Sequence, residues 1–238
     1  MSEVGALWVY LSASPLLWLT ATLVAYLIGH AAFRASGMMA LVNPVVIAVA
    51  LLGTALAFAE ASYADYFEGA QFIHFLLGPA TVALAVPLWF NRAEIMRSLL
   101  PMAAALLAGS AAAVLTAIGV AAALGASPET LLALAPKSAT APIAMGVAEQ
   151  IGGAPALTAV LVILTGVLGA IIGVPLLNAL RIRDGRARGF AIGLASHGIG
   201  AARAFQESSR AGAFAGIGMG LNGLATAILA PLIVAWLL

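Results

Sequence analysis

The sequence predicts an all-α integral membrane protein, a polytopic bundle with inverted repeats and broken, re-entrant half-helices. Three observations carry that reading. Hydrophobic residues make up 63% of the chain and charged residues 8%, against about 45–50% and about 25% in a soluble domain. The apolar residues gather into uncharged stretches near the roughly 20 residues needed to cross a bilayer. Prolines and glycines interrupt several of those stretches at their middle. A soluble sphere could not hide so much apolar surface from water.

Taken in order, the first stretch runs from Val4 to Phe33, with Ser14-Pro15 as an internal break and Arg34 closing it. Glu3 precedes it and no basic segment does, so it reads as a mature span rather than a cleaved signal peptide. The second, Met38 to Ala59, carries Asn43-Pro44 near its start, and Glu60, Tyr63, Asp65, Tyr66 and Glu68 form an acidic connection after it. The third, Phe72 to Phe90, is broken at Gly78-Pro79 and again at Pro87. Arg92, Glu94 and Arg97 mark a short charged loop before the fourth stretch, Leu99 to Leu124.

The texture changes from Ser127 to Gly153, where Pro128, Pro136, Lys137, Pro142 and Glu149 interrupt an apolar background. Two half-helices, Glu129–Ala135 and Pro142–Ile151, joined by unwound backbone, suit it best. Ala154 to Leu180 is a clean span, followed by Arg181, Arg183, Arg186 and Arg188. Phe190 to Ala211 and Ala213 to Leu237 complete the chain. Basic residues favour the cytoplasmic side, so the arginine-bearing connections belong inside and the acidic one outside. The elements then run as inverted repeats over residues 38–124 and 154–237, joined by a re-entrant segment at 127–153, within a single domain of residues 1–238. Such repeats with broken helices are the pattern of secondary transporters.

Net charge is +1 and cysteine is absent. The first gives no reason to expect nucleic-acid binding, and the second excludes disulfides and cysteine chemistry. No carboxylate cluster has metal-ligand spacing, so neither metal nor cofactor is expected.

Two constellations can carry chemistry. In Pro136-Lys137-Ser138-Ala139-Thr140-Ala141-Pro142, a lysine sits among apolar segments, where an ionised side chain usually faces a cavity or a partner. The prolines keep the backbone out of a helix, and Ser138 or Thr140 can cap the half-helix that Pro142 begins. A helix start with a lysine and hydroxyls makes an anion cradle; the plainer alternative is a loop whose Lys137 reaches to the interface. In Ser196-His197-Gly198-Ile199-Gly200, the two glycines suggest a second unwound point, with His197 able to donate hydrogen bonds or carry a proton. Arg203 and Glu207 follow, four residues apart and able to pair. A packing histidine is the plainer reading there.

Gly78, Pro79 and Thr81 form an uncharged break, which on its own residues reads as a proline kink. Asn43 is a cap before Pro44. Tyr63 and Tyr66 suit an interfacial belt. Glycines at 166, 169, 173, 216 and 220 permit close helix approach.

These residues resemble the LrgB/CidB membrane proteins, which include YohK-type proteins and one half of the plastidal glycolate/glycerate translocator. The likeness rests on LVNP (41–44), SYADYFEG (62–69), LLGPATVALAVPLW (76–89), PKSATAPIAM (136–145), IGGAPALTAV (151–160), ARGFAIGLASHGIGAARA (187–204) and GAF (212–214). Ala141 and Ala201 stand where the family commonly has threonine, which bears on selectivity if those hydroxyls touch substrate. The resemblance implies two functional layers. One is regulation of murein hydrolases and autolysis with a small LrgA/CidA-like membrane partner; the other is transport of small monocarboxylates such as glycolate, glycerate, pyruvate or lactate.

The paired anion-facing breaks favour transport. The expected substrate-binding set is Lys137, Ser138, Thr140, Ser196, His197 and Arg203. Asn43, Gly78, Pro79, Thr81, Pro142, Gly198, Gly200 and Glu207 support it. The expected partners are a small organic anion, the lipid bilayer of a bacterial inner membrane and a second copy of the chain, with coupling to protons or sodium left open. A holin-associated regulator is the alternative. An intramembrane hydrolase is the weakest class, because adjacent residues such as Ser196 and His197 rarely orient as nucleophile and base. The chain is therefore not expected to be an enzyme.

Overall fold

The computed structural model describes residues 15–39, 42–76, 79, 82–83, 85–90 and 92–237. The start of the first apolar stretch, Gly78 and Thr81 lie outside them. All regular structure among the described residues is helical, and four helices are long and apolar enough to cross a membrane. The chain is an all-α membrane protein. It divides into two compact units, Met1–Ala83 and Leu84–Leu238.

In the first unit, α1 (Pro15–Ala35), α2 (Pro44–Ala59) and α3 (Tyr63–Phe75) pack together. Ala25, Ala48 and Leu52 form their small core. Close approach depends on glycine: a Cβ at Gly69 would fall 2.1 Å from the Pro15 carbonyl, and one at Gly29 2.6 Å from that of Pro44. The acidic connection after residue 59 enters α3 at Tyr63. Ser62 and Asp65 exchange hydrogen bonds, the Ser62 hydroxyl donating to Asp65 Oδ2 at 2.7 Å and accepting from the Asp65 amide at 3.2 Å. That reciprocal cap starts α3. Its hydrogen bonds from Ser62 hold the Asp65 carboxyl below its ordinary value. Tyr66 packs edge-on to Trp18 with ring centroids 6.0 Å apart, so it belongs to the helix packing of this unit.

The second unit holds α4 (Ala85–Phe90), α5 (Arg92–Arg97), α6 (Leu99–Ala123), α7 (Pro128–Leu134), α8 (Ala141–Gln150), α9 (Pro155–Ala179), α10 (Gly185–Glu207) and α11 (Ser209–Leu237). Of the third apolar stretch, residues 72–75 close α3 and Ala85–Phe90 forms α4. At 25, 25 and 29 residues, α6, α9 and α11 exceed the roughly 30 Å hydrocarbon thickness at about 1.5 Å per residue. Leu107, Leu168 and Leu232 are 55–63% exposed on them, as lipid-facing side chains would be.

Between these spans the chain folds back twice. Ser127 caps α7 by accepting from the Thr130 amide, and overlapping turns carry the chain on from Leu134 through Ala139. The return leg α8 ends beside the outgoing one, because a Cβ on Gly153 would lie 2.9 Å from the Leu132 carbonyl carbon. The two half-helices expected here are thus the legs of a hairpin.

The second fold-back corrects a sequence expectation. Phe190–Ala211 reads by length as a crossing element, yet α10 breaks at His197, whose backbone lies at φ 43°, ψ −135°. Arg188 and Glu207 stand 19 residues apart, which in a straight helix would separate them by about 28 Å. Their side chains instead meet at 2.6 Å. A Cβ at Gly200 would lie 2.8 Å from the Ile192 carbonyl. Residues 185–196 and 198–207 are two legs of a second hairpin that begins and ends on one side. Since α9 runs from the base of the first hairpin to the base of the second, the two enter from opposite sides.

The second hairpin is pressed onto α11 without intervening side chains. A Cβ at Gly189 or Gly193 would fall 2.0 Å from the carbonyl oxygens of Ala211 and Ala215 respectively. Small residues at helical spacing allow this backbone-to-backbone approach.

Candidate functional site: two hairpin tips and the cavity that holds Lys137

Each hairpin tip exposes backbone groups that helices would otherwise pair, and in an apolar interior those groups need partners. Asn222, fully buried on α11, supplies them for both tips. Its Nδ2 donates to the carbonyl of Ser138 and to that of Leu194, each at 3.0 Å. Its Oδ1 accepts from the Ser110 hydroxyl at 2.6 Å and from Thr226 at 3.4 Å. Every donor of the amide and both acceptor positions are used. The opposite amide orientation would set an oxygen against two carbonyls.

The tips frame a cavity of about 430 Å³, within the roughly 300–1,000 Å³ typical of small-molecule clefts. Lys137 and Ser138 line it from the first hairpin, Leu194 and Ser196 from the second, and Thr116 and Thr165 from the spans. The Lys137 side chain has no carboxylate or hydrogen-bond partner among the described residues. It is half-buried. The cavity therefore presents one unneutralised ammonium with hydroxyls around it, an arrangement suited to a small anion.

His197 forms the turn of the second tip and is buried at 5% exposure. Its Nε2 lies 2.8 Å from the Val162 carbonyl on α9. The imidazole is thus spent on holding the tip against α9 and does not line the cavity. Room for it comes from glycine: a Cβ on Gly166 would stand 2.6 Å from the ring, and one on Gly169 would overlap the Ser196 hydroxyl at 1.6 Å. Gly198 follows the turn, and Gly200 lets the second leg lie against the first.

The remaining sequence-predicted residues sit elsewhere. Thr140 occupies the cap position of α8, but its hydroxyl makes no capping bond, and neither it nor the exposed Pro142 lines the cavity. Arg203, on the return leg, donates to Gln206 at 2.8 Å; it neither lines the cavity nor pairs with Glu207. Glu207 is taken by Arg188, whose Nε and Nη2 reach both carboxylate oxygens at 3.2 and 2.6 Å. A bidentate contact of this kind outcompetes an i,i+4 pair on a helix surface. Arg188 also donates to Asn178 and to the Ile182 carbonyl, so it is a buried strut rather than part of an exposed arginine cluster. Asn43 lies in the first unit, where its side chain accepts from the Val45 amide at 2.9 Å and caps α2. Pro79 is exposed in the same unit.

Sequence reasoning missed Asn222. Its signal was a single amide in the apolar stretch 213–237, where an uncharged polar side chain commonly bonds across helices.

The sequence profile of the LrgB-like family matches residues 22–236. The CidB holin-like protein of Staphylococcus epidermidis is 31% identical over 194 residues, covering 82% of this chain and 85% of its own. The LrgB antiholin-like protein of Bacillus cereus is 30% identical over 219 residues, 92% of this chain and 95% of its own. YxaC of Bacillus subtilis is 35% identical over 194 residues, 82% and 84% of the two chains. No solved structure matches significantly. A profile match and full-length relatives together establish that the chain belongs to the LrgB-like family.

Proposed function

We propose that the chain carries a small organic monocarboxylate, of the glycolate, glycerate, pyruvate or lactate kind, across a bacterial cell membrane by alternating access. The observation that supports this most is the pair of opposed hairpin tips around a cavity that holds the unpaired Lys137. Lys137 neutralises the carboxylate, and Ser138 and Ser196 bond its oxygens. A span followed by a hairpin occurs twice, as α6 with the first hairpin and α9 with the second. Inverted repetition on this scale suits rocking of one hairpin against the other. Protons or sodium supply the coupling, and the carrier works as a homodimer.

Reconstituted protein takes up labelled glycolate or pyruvate with saturation. Lys137→Ala lowers uptake at sub-saturating substrate by about 10–100-fold, the cost of losing one charged hydrogen bond, while elution and melting stay unchanged. Unaltered uptake by that variant removes the proposal.

The names of the relatives, holin-like and antiholin-like, favour a second reading over this one. In it the chain regulates export of murein hydrolases together with a small LrgA/CidA-like membrane protein. Solute flux through such an assembly is a leak proportional to concentration, requires the partner and is indifferent to Lys137.

A further inference from the structure

At the base of the second hairpin lies a basic hollow of about 590 Å³. Four arginines line it: Arg97, Arg183, Arg186 and Arg210. Two are neutralised locally, Arg186 by Asp184 at 2.6 Å and Arg210 by Glu94 at 2.9 Å. Arg97 and Arg183 have no carboxylate or other bonded partner among the described residues. The hollow so carries two uncompensated positive charges.

Asp184 and Arg186 also line the mouth of a second hollow of about 500 Å³. Its walls are of another character. Pro101, Met102 and Ala105 of α6 face Ala187, Phe190 and Ala191 of the outgoing leg of α10. An apolar channel between two helices thus opens directly onto a cationic pocket. A small dissolved anion would use the arginines and leave the channel empty. A hydrocarbon chain would fill the channel and leave the arginines unsatisfied. An amphiphile with an anionic head satisfies both.

We propose that this is a binding site for an anionic phospholipid, with its phosphate on Arg97 and Arg183 and one acyl chain between α6 and α10. Basic pockets between membrane helices hold anionic head groups, each arginine contributing about fivefold in affinity. The inner end of the channel shares Gly109 and Leu194 with the tip cavity. The acyl chain therefore packs on the leg that carries Ser196, and the membrane's anionic lipid content bears on that hairpin. The inference stands whichever solute the cavity takes.

The full chain, purified in detergent and stripped of lipid, is titrated with phosphatidylglycerol, with phosphatidylcholine of the same chains and with glycerol phosphate, and bound lipid is counted by native mass spectrometry. Phosphatidylglycerol binds in preference to phosphatidylcholine, and glycerol phosphate does not displace it. Arg97→Gln with Arg183→Gln removes most of that preference, about 25-fold for two arginines, whereas the paired Lys replacements keep it. Ala191→Trp, filling the channel, weakens both diacyl lipids. Equal binding of the two lipids by the wild-type chain overturns the proposal without any variant being needed. Displacement by glycerol phosphate overturns it in favour of a soluble anion. An Ala191→Trp protein with unchanged lipid binding but altered oligomeric mass overturns it in favour of a contact between copies.

Discussion

His197 holds a backbone conformation, φ 43° and ψ −135°, that costs a side-chain-bearing residue about 1–3 kcal/mol. The surroundings over-determine it: the ring bonds the Val162 carbonyl, the absent side chain of Gly166 makes room, and Asn222 holds the Leu194 carbonyl three residues before the turn. Asn222 is the residue on which both tips depend. Asn222→Ala leaves two carbonyls and the Ser110 hydroxyl unpaired in the interior, at about 1–3 kcal/mol each. Thermal unfolding in detergent should drop by at least about 3 kcal/mol. Asn222→Asp should not rescue it, because an oxygen would face both carbonyls. An Asn222→Leu protein as stable as the wild type would sink this account.

Among the elements, α10 depends most on its ends. Arg188 and Glu207 clamp its two legs at the base, at side-chain exposures of only 10% and 20%. Removing one partner strands the other's charge, at about 3–5 kcal/mol. Arg188→Gln and Glu207→Gln should therefore each destabilise strongly. The double variant should lose less than the sum, which a double-mutant cycle in chemical denaturation reads. Asp184 caps the outgoing leg, accepting from the Arg186 amide at 2.8 Å. Hydrogen bonds from the Arg186 side chain and backbone bring its pKa down from 3.8 to about 2. Because the folded value is the lower one, the cap's contribution is complete above the unfolded value and fades as pH falls from about 4 through about 2. Melting temperatures of wild type and Asp184→Asn should differ by a constant amount from pH 8 to 5, and the gap should close as pH falls from about 4 through about 2. A gap undiminished at pH 2 would show that the carboxylate charge is irrelevant to the cap.

At the scale of the whole second unit, spans and hairpins alternate, so that hairpin bases lie on opposite sides and their tips meet. The chain lacks cysteine, which makes this directly measurable with single introduced cysteines and a membrane-impermeant thiol reagent in oriented vesicles. Arg183→Cys and Ser208→Cys, both exposed at the base of the second hairpin, should label from the same side. Ser127→Cys and Gln150→Cys, at the base of the first, should label from the other. A crossing element at 190–211 would separate the first pair, and that labelling pattern would refute the hairpin.

Composition and breaker spacing were enough to determine that this is a helical membrane protein, since no soluble fold can bury so large an apolar fraction. They also located both tips: the prolines around Lys137 and the glycines after His197 are local statements about which backbone cannot stay helical. What those breaks do was decided only in three dimensions. Two legs of ten or so apolar residues match one membrane span in length and hydropathy, so a linear pattern cannot tell a hairpin from a crossing. The distinction is made by contacts distant in the chain: Arg188 with Glu207, Gly166 with His197, and Asn222 with both tips. The same fold-back leaves Arg203 off the cavity wall and gives Glu207 to an arginine 19 residues away. Charges four apart on a helix suggest a pair, but a better-oriented partner arriving from another leg takes the carboxylate, and only the folded chain says which one arrives.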